Sequence, residues 1–255
     1  MRFLCVSDQI DPLVYSSALK ERYADCDAVL CAGDLPMDYI DYIVTSLNKP
    51  TYFVFGNHNL NEFKFYGNHP ETNSVPMQQA GICDMSHQHG GDYASNRVIR
   101  CKYLTFTNSR GKKTPLLIAG VSGSIKYNNG QDQYTDREMF WQLVSLIPSL
   151  IFNKIKYGRY CDVFLTHASP RHIHDREDPC HRGFESFNWF IKKYMPTLMV
   201  HGHIHLYDMS SPRATVCDKT TIVNAYSHVL IDIIPQSAGT KGDGLDFTVS
   251  VITDR

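Results

Sequence analysis

The sequence lacks an excess of charge of either sign. Its 25 Lys and Arg residues stand against 26 Asp and Glu, for a formal net charge of -1. That balance argues against a dedicated nucleic-acid binder, which needs a basic surplus to displace counterions. No apolar run approaches the ~18–20 residues of a membrane-spanning helix, so no membrane partner is expected. The N-terminus does not read as a secretory signal, because residues 1–6 are short and the carboxylate of Asp8 follows at once. None of the eight cysteines forms a CxxC pair, and Cys5, Cys31 and Cys161 sit inside apolar runs, where Cys behaves as a small hydrophobe. A reducing, cytoplasmic compartment without a disulfide framework is the expectation. Repeats, low-complexity tracts and linker-like stretches are also missing, so residues 1–255 read as one domain. What remains is a chain with 43% hydrophobic and 20% charged residues, enough apolar matter for a full core and too much for disorder.

Short apolar runs recur, each followed by a polar loop. Residues 2–6, 28–32 and 51–55 are rich in β-branched and aromatic side chains, the pattern of strands buried on both faces. Asp11-Pro12 opens a predicted helix running to about Tyr23, and a second helix is predicted over 37–47. The first 55 residues therefore read as β-α-β-α-β, which implies a parallel sheet. Residues 59–96 read as one long loop, functional or mobile. Residues 97–107 and 116–121 read as strands of a second sheet joined by a turn at 108–111. Thr135 and Glu138 form a capping box, and the helix it opens runs to about Tyr157 with an interruption at Pro148. A strand at 162–166, a helix at about 184–195 and a strand at 197–200 follow. The tail reads as three antiparallel strands at 220–224, 229–234 and 247–253.

The polar residues fall at one kind of place. Asp8, Asp34, Asn57, His167 and the pair His203 and His205 each follow the C-terminal end of a predicted strand. In open α/β sheets ligands bind at that edge. A lone Asp or His there is ordinarily a turn or a helix cap. Five such events on separate strand ends point instead to a metal centre. Carboxylate oxygens together with imidazoles suit Mn, Fe or Zn.

Gly33-Asp34, Gly56-Asn57-His58, Thr166-His167 and Gly202-His203-Ile204-His205 resemble the GD, GNH, H and GHxH motifs of the calcineurin-like metallophosphoesterases, in that family's order. The resemblance covers residues 3–234. It implies an α/β fold, a four-layer α/β/β/α sandwich of two mixed β-sheets flanked by helices. It also implies two divalent metal ions and hydrolysis of a small phosphomonoester or phosphodiester by a metal-bound hydroxide. By the same resemblance Asp34 bridges the ions, Asp8 and His205 complete one site, and Asn57, His167 and His203 complete the other. His58 assists the leaving oxygen. These residue types suit the chemistry, since two cations ~3.5–4 Å apart need an anionic oxygen between them.

One motif departs from the family. Its first pattern, DxH, is here Asp8-Gln9-Ile10, and Ile10 ligates nothing. Water, Gln9 or Asp11 could replace the imidazole. Asp11 is better explained as the cap before Pro12, so water is the first choice. The expectation is one tight ion and a weak or water-completed Asp8/His205 site. A one-metal protein that senses phosphate or nucleotide is the alternative. Asn59 also stands where many relatives carry an acidic residue supporting the histidine.

Weaker candidates surround this set. Lys126 and Tyr127 follow a strand end and read either as pocket lining or as part of a solvated turn. Residues 171–182 resemble a loop that phosphodiesterase-like relatives place over the metals, which offers His181 and Arg182 for charge-assisted bonds to phosphate; the other reading is a surface loop capping the next helix. His201 reads as core or as support for the site, and His228 as a weak candidate for its mouth. His69, His87 and His89 read as solvated. Phe63, Phe65 and Tyr66 read as packing or stacking groups.

Overall fold

The structure, a computed structural model, describes residues 1–58, 90–107, 111–207, 212–235 and 247–253. The elements run β1 (Arg2–Ser7), α1 (Leu19–Tyr23), β2 (Ala28–Ala32), α2 (Met37–Leu47), β3 (Thr51–Val54), β4 (Asp92–Tyr93), β5 (Arg97–Thr107), β6 (Lys113–Gly120), β7 (Ser124–Ile125) and β8 (Gln133–Tyr134). They continue α3 (Asp136–Ser145), α4 (Ile147–Tyr157), β9 (Val163–Leu165), α5 (Glu185–Tyr194), β10 (Leu198–His201), β11 (Ala214–Cys217), β12 (Thr220–Asn224), β13 (Ser227–Pro235) and β14 (Phe247–Ile252).

Among the described residues twelve of these strands form two six-stranded mixed sheets, ordered β14-β13-β1-β2-β3-β4 and β11-β12-β10-β9-β6-β5, and β7 pairs with β8 apart from them. Strands β1 to β4 run parallel, as do β6, β9, β10 and β12. Alternation along each strand explains the layering. Phe3, Cys5, Leu30, Val163, Leu165, Leu198 and Val200 point between the sheets into a shared core. Leu4, Val6, Val29 and Cys31 point the other way, under α1 and α2. Phe164 and Met199 do the same on the second sheet and meet Phe187 and Phe190 of α5. The result is the α/β/β/α sandwich.

Several helix ends follow the sequence reading. Thr135 Oγ1 accepts from Glu138 N at 3.3 Å and Glu138 accepts from Thr135 N at 2.7 Å, closing the capping box. The expected helix breaks at Leu146, with Pro148 in the first turn of α4, where its missing N–H costs nothing.

Three expectations are corrected. The helix read from Pro12 to Tyr23 exists only as α1. Asp11 does receive Leu13 N at 2.8 Å, but Ser16 O, which a continuous helix would give to residue 20, accepts from the Tyr42 hydroxyl at 2.6 Å and from Leu19 N at 3.0 Å. The tail is not three antiparallel strands: β13 and β14 pair antiparallel in the first sheet, while β12 joins the second, parallel to β10 and antiparallel to β11. Residues 92–93, read within a long loop, form β4 beside β3. The rest of that loop from 59 to 89 lies outside the described residues, with His69, His87, His89, Phe63, Phe65 and Tyr66. Most of the turn at 108–111 lies outside them as well.

Candidate metal centre

Both sheets send the C-terminal ends of their parallel strands to one edge. There β1, β2 and β10 stop abruptly, and the residues just beyond them turn left-handed: φ is 63° at Asp8, 54° at Asp34 and 67° at His203. Such backbone costs ~1–3 kcal/mol per residue. Each fully buried Val, Leu or Phe contributes about 1.5–3 kcal/mol, so three filled apolar layers easily sustain it. The strain aims three side chains at one another immediately past their strands.

Backbone hydrogen bonds lock these turns together. Asp8 N donates to Gly33 O at 3.1 Å, Gly202 N to His167 O at 2.9 Å, and His203 N to both Asp8 carboxylate oxygens at 3.0 Å. His58 N donates to Asp34 Oδ1 at 2.9 Å. Two motif glycines are there because of close approach. A Cβ on Gly56 would overlap Asp34 Oδ1 and stand 2.6 Å from His167 Cε1; one on Gly202 would stand 2.5 Å from Asp8 Oδ2.

The imidazoles are oriented from behind. His167 is fully buried, and its Nδ1–H donates to Ala32 O at 2.8 Å. His203 Nε2–H donates to Cys180 O at 2.6 Å. These bonds leave His167 Nε2 and His203 Nδ1 facing each other at 3.1 Å, with Asp34 Oδ2 3.3 Å from His167 Nε2. Donating the outer ring nitrogen to a carbonyl is how a ligating histidine is fixed in tautomer and direction. Asp34, His167 and His203 each offer one atom to a single small space. Burial opposes charge on both members of the Asp34–His167 pair, but their proximity prevails: His167 is held up at about 9, and Asp34 is held below the usual carboxylate range. Burial, reinforced by neighbouring His167, pushes His203 down to about 3. Asp8 is raised by burial.

Asn57 supplies the test of fit. It is 4% exposed, its amide donates to Tyr127 Oη at 3.3 Å, and its Oδ1 is buried with no hydrogen-bond partner. A buried amide oxygen without a partner costs about 1–3 kcal/mol. A cation beside Asp34, His167 and His203 removes that cost, so this donor set fits a divalent ion.

The other half is more open. Asp8 Oδ1 lies 3.8 Å from His205 Nε2; the Asp8 side chain is buried, but that of His205 is 41% exposed. The His205 ring packs on Tyr226 with centroids 4.9 Å apart. Gln9 and Ile10 are both exposed. Asp11 is committed elsewhere, accepting from His228 Nδ1 at 2.7 Å and from Ser227 Oγ. That also corrects His228, which is buried against Asp11 and the Tyr23 hydroxyl rather than at the site mouth.

Of the remaining candidates, His58 is exposed at the rim, tied through its backbone to Asp34. Tyr127 is brought in through Asn57. His181 lies beside the centre, its ring 5.3 Å from that of His203 and its Nδ1 2.7 Å from Asp178 Oδ1. Lys126 and Arg182 are exposed; Lys126 has Glu138 as its electrostatic neighbour. Arg176, rather than Arg182, is the loop arginine bonded to the site, donating to His205 O at 2.9 Å. His201 is buried, bonded to Gly202 O at 2.9 Å and to His174 at 2.9 Å.

Sequence reasoning missed Asp132. Its carboxyl is buried, accepts from the Tyr134 hydroxyl at 2.7 Å, and leaves Oδ2 without a partner. Burial pushes it up to about 7, and it feels both His167 and Asp34. The signal available was only an acidic residue in a Gly-rich turn, which ordinarily faces solvent.

A model of the calcineurin-like phosphoesterases matches residues 1–207. The chain belongs to that family. Family membership supports a metal-dependent phosphoesterase that binds divalent ions. Among solved structures, TT1561 of Thermus thermophilus is similar over 90% of this chain and 92% of its own, at 15% identity and a TM-score of 0.55. The calcineurin-like phosphoesterase YfkN from Bacillus subtilis is similar over 98% and 90%, at 12% identity and a TM-score of 0.49. At such identities the first likeness bears on the fold alone. No curated protein matches the chain. Among the described residues no helix is long and apolar enough to cross a membrane.

Proposed function

We propose that this single-domain phosphoesterase hydrolyses a small organic phosphate ester, a phosphodiester before a phosphoprotein. The observation that carries the reading is the unpartnered, buried Oδ1 of Asn57, a residue whose two chain neighbours, Gly56 and His58, lie against Asp34 in the convergent Asp34, His167 and His203 group. Asn57, His167 and His203 would hold one ion, Asp8 and His205 a second, and Asp34 both, with Mn, Fe or Zn compatible with the donors. Bound ions supply Lewis acidity and ionise water near neutral pH. The chain's own residues do the rest. Tyr127 holds the Asn57 amide nitrogen, which leaves the buried oxygen free for an ion. Ala32 and Cys180 carbonyls hold the two imidazoles in register. His58, exposed at the rim, hands a proton to the leaving oxygen. His181, its ring oriented by Asp178, meets a phosphate oxygen through Nε2–H when both ring nitrogens carry protons. The preference for a diester rests on the loop carrying His181. The seven described free cysteines, five of them buried, support a reducing cytoplasmic setting.

Ile10 favours one alternative, a phosphate or nucleotide sensor that keeps a single ion. Hydrolysis of bis-p-nitrophenyl phosphate with added Mn separates the two. Turnover that falls by about 100-fold or more in His58→Ala supports the enzyme. No turnover with Mn, Fe or Zn favours the sensor.

A further inference from the structure

We propose that Asp178, Cys180 and His181 form a further metal site, selective for a thiophilic divalent ion such as zinc. Three donors of different chemistry meet in four residues of chain. Cys180 Sγ lies 2.9 Å from Asp178 Oδ1 and 3.4 Å from His181 Nδ1, and the carboxylate oxygen is 2.7 Å from that nitrogen. Zinc binds sulfur at about 2.3 Å and nitrogen or oxygen at about 2.0–2.2 Å, so tetrahedral ligands stand roughly 3.3–3.7 Å apart. The sulfur–nitrogen separation already has that value. The two contacts to oxygen are shorter because protons now sit between the atoms, and opening them takes less than about 1 Å.

The loop is held in this shape from several sides. Asp175 accepts from the Arg171 guanidinium at 2.6 Å and from Gly183 N at 3.0 Å, closing its two ends. Arg176 N donates to His181 O at 3.1 Å. Cys180 O is pinned by His203. The three side chains therefore do not have to be gathered from a disordered loop. They are also partly exposed, with side-chain exposures of 43% at Asp178 and 29% at His181, so an ion has an open path and water can take the fourth position.

The free loop holds the place of the ion with a proton. The Cys180 thiol donates to Asp178. On coordination the thiol proton leaves to solvent, the imidazole gives up its proton at Nδ1 and takes one from water at Nε2, so that Nδ1 is free for the ion, and Asp178 turns its oxygen from those protons to the ion; one proton is released in all. The Asp34 centre offers nitrogen and oxygen, whereas this site offers sulfur as well, which separates the two by metal preference.

The test is titration of the full chain with cobalt(II), followed by sulfur-to-metal charge-transfer absorption. A band that rises and saturates at an intensity of one sulfur-bound cobalt per chain is expected. Cys180→Ser should abolish it, Cys217→Ser should leave it, and Asp178→Asn should weaken cobalt binding at the band by about tenfold or more. No band in the unmodified chain, or a band that survives Cys180→Ser, overturns the site. The readout is independent of hydrolysis: an inactive chain that shows the band keeps this inference, and an active one without it loses only this.

Discussion

The two halves of the centre are built from the same kinds of residue but differ in how many partners hold them. Around His167, His203 and Asn57 every outward polar atom is tied: Ala32 O, Cys180 O and Tyr127 Oη fix the three side chains, and burial is nearly complete. Around Asp8 and His205 the carboxylate is buried, but the imidazole is 41% exposed, and Ile10 occupies the sequence position at which the DxH pattern has its histidine. The contrast teaches that affinity here follows support. On the proposed assignment, an ion in the first half would meet ligands held from behind, whereas one in the second would rely on a half-exposed imidazole that competes with solvent.

Single-ligand variants on the two sides break the comparison most sharply. His167→Ala should cost the first ion ~100-fold or more in affinity, since losing even a supporting contact costs about 10–100-fold. His205→Ala should leave the first ion within about threefold and remove the second. Calorimetric titration with Mn reads both. Two equally tight ions in the unmodified chain would undo the asymmetry.

A backbone test comes next. Gly56→Ala places a methyl on Asp34 Oδ1 and against His167, in a turn with no room to give. Overpacking of this kind costs about 1–3 kcal/mol. The loss should appear as lower thermal stability together with weaker binding of the first ion. Normal ion binding in a fully stable variant would mean that this turn is looser than its contacts indicate.

Ile10→His probes the poorer half. Ile10 is exposed, so its replacement empties no core. Restoring an imidazole beside Asp8 should raise affinity at the second site by about 10–100-fold and leave the first unchanged. An unchanged second site would show that the turn after β1 does not carry residue 10 toward the ions.

The regions that could be read from the sequence are those with the strongest physical constraint. Parallel strands buried on both faces cannot hide their apolar runs, and a polar residue directly after such a run has one edge of the sheet to occupy; hence Asp8, Asp34, Asn57, His167 and His203 were legible. The choice between sheets was not, because alternation in residues 220–224 is the same whichever neighbour pairs with them. Pro12 signalled a helix start, but the Tyr42 hydroxyl, 26 positions away from the Ser16 carbonyl it binds, decides the outcome. Arg176 and Cys180 reach the centre from a loop without periodicity, where only the folded path brings them near.

The smallest effect tests the support itself. Tyr127→Phe keeps the ring and removes the hydroxyl that receives the Asn57 amide at 3.3 Å. A hydrogen bond of this kind is worth about 0.5–1.5 kcal/mol, so affinity for the first ion should fall by roughly 2–10-fold. The second ion should not change, because neither Asp8 nor His205 depends on that hydroxyl. Asn57→Ala bounds the effect from above, since it deletes the ligand along with its support. If Tyr127→Phe weakens both ions alike, the phenol acts on the field of the whole centre rather than on the aim of one amide. The two halves would then differ in ligand number and not in how firmly the ligands are held.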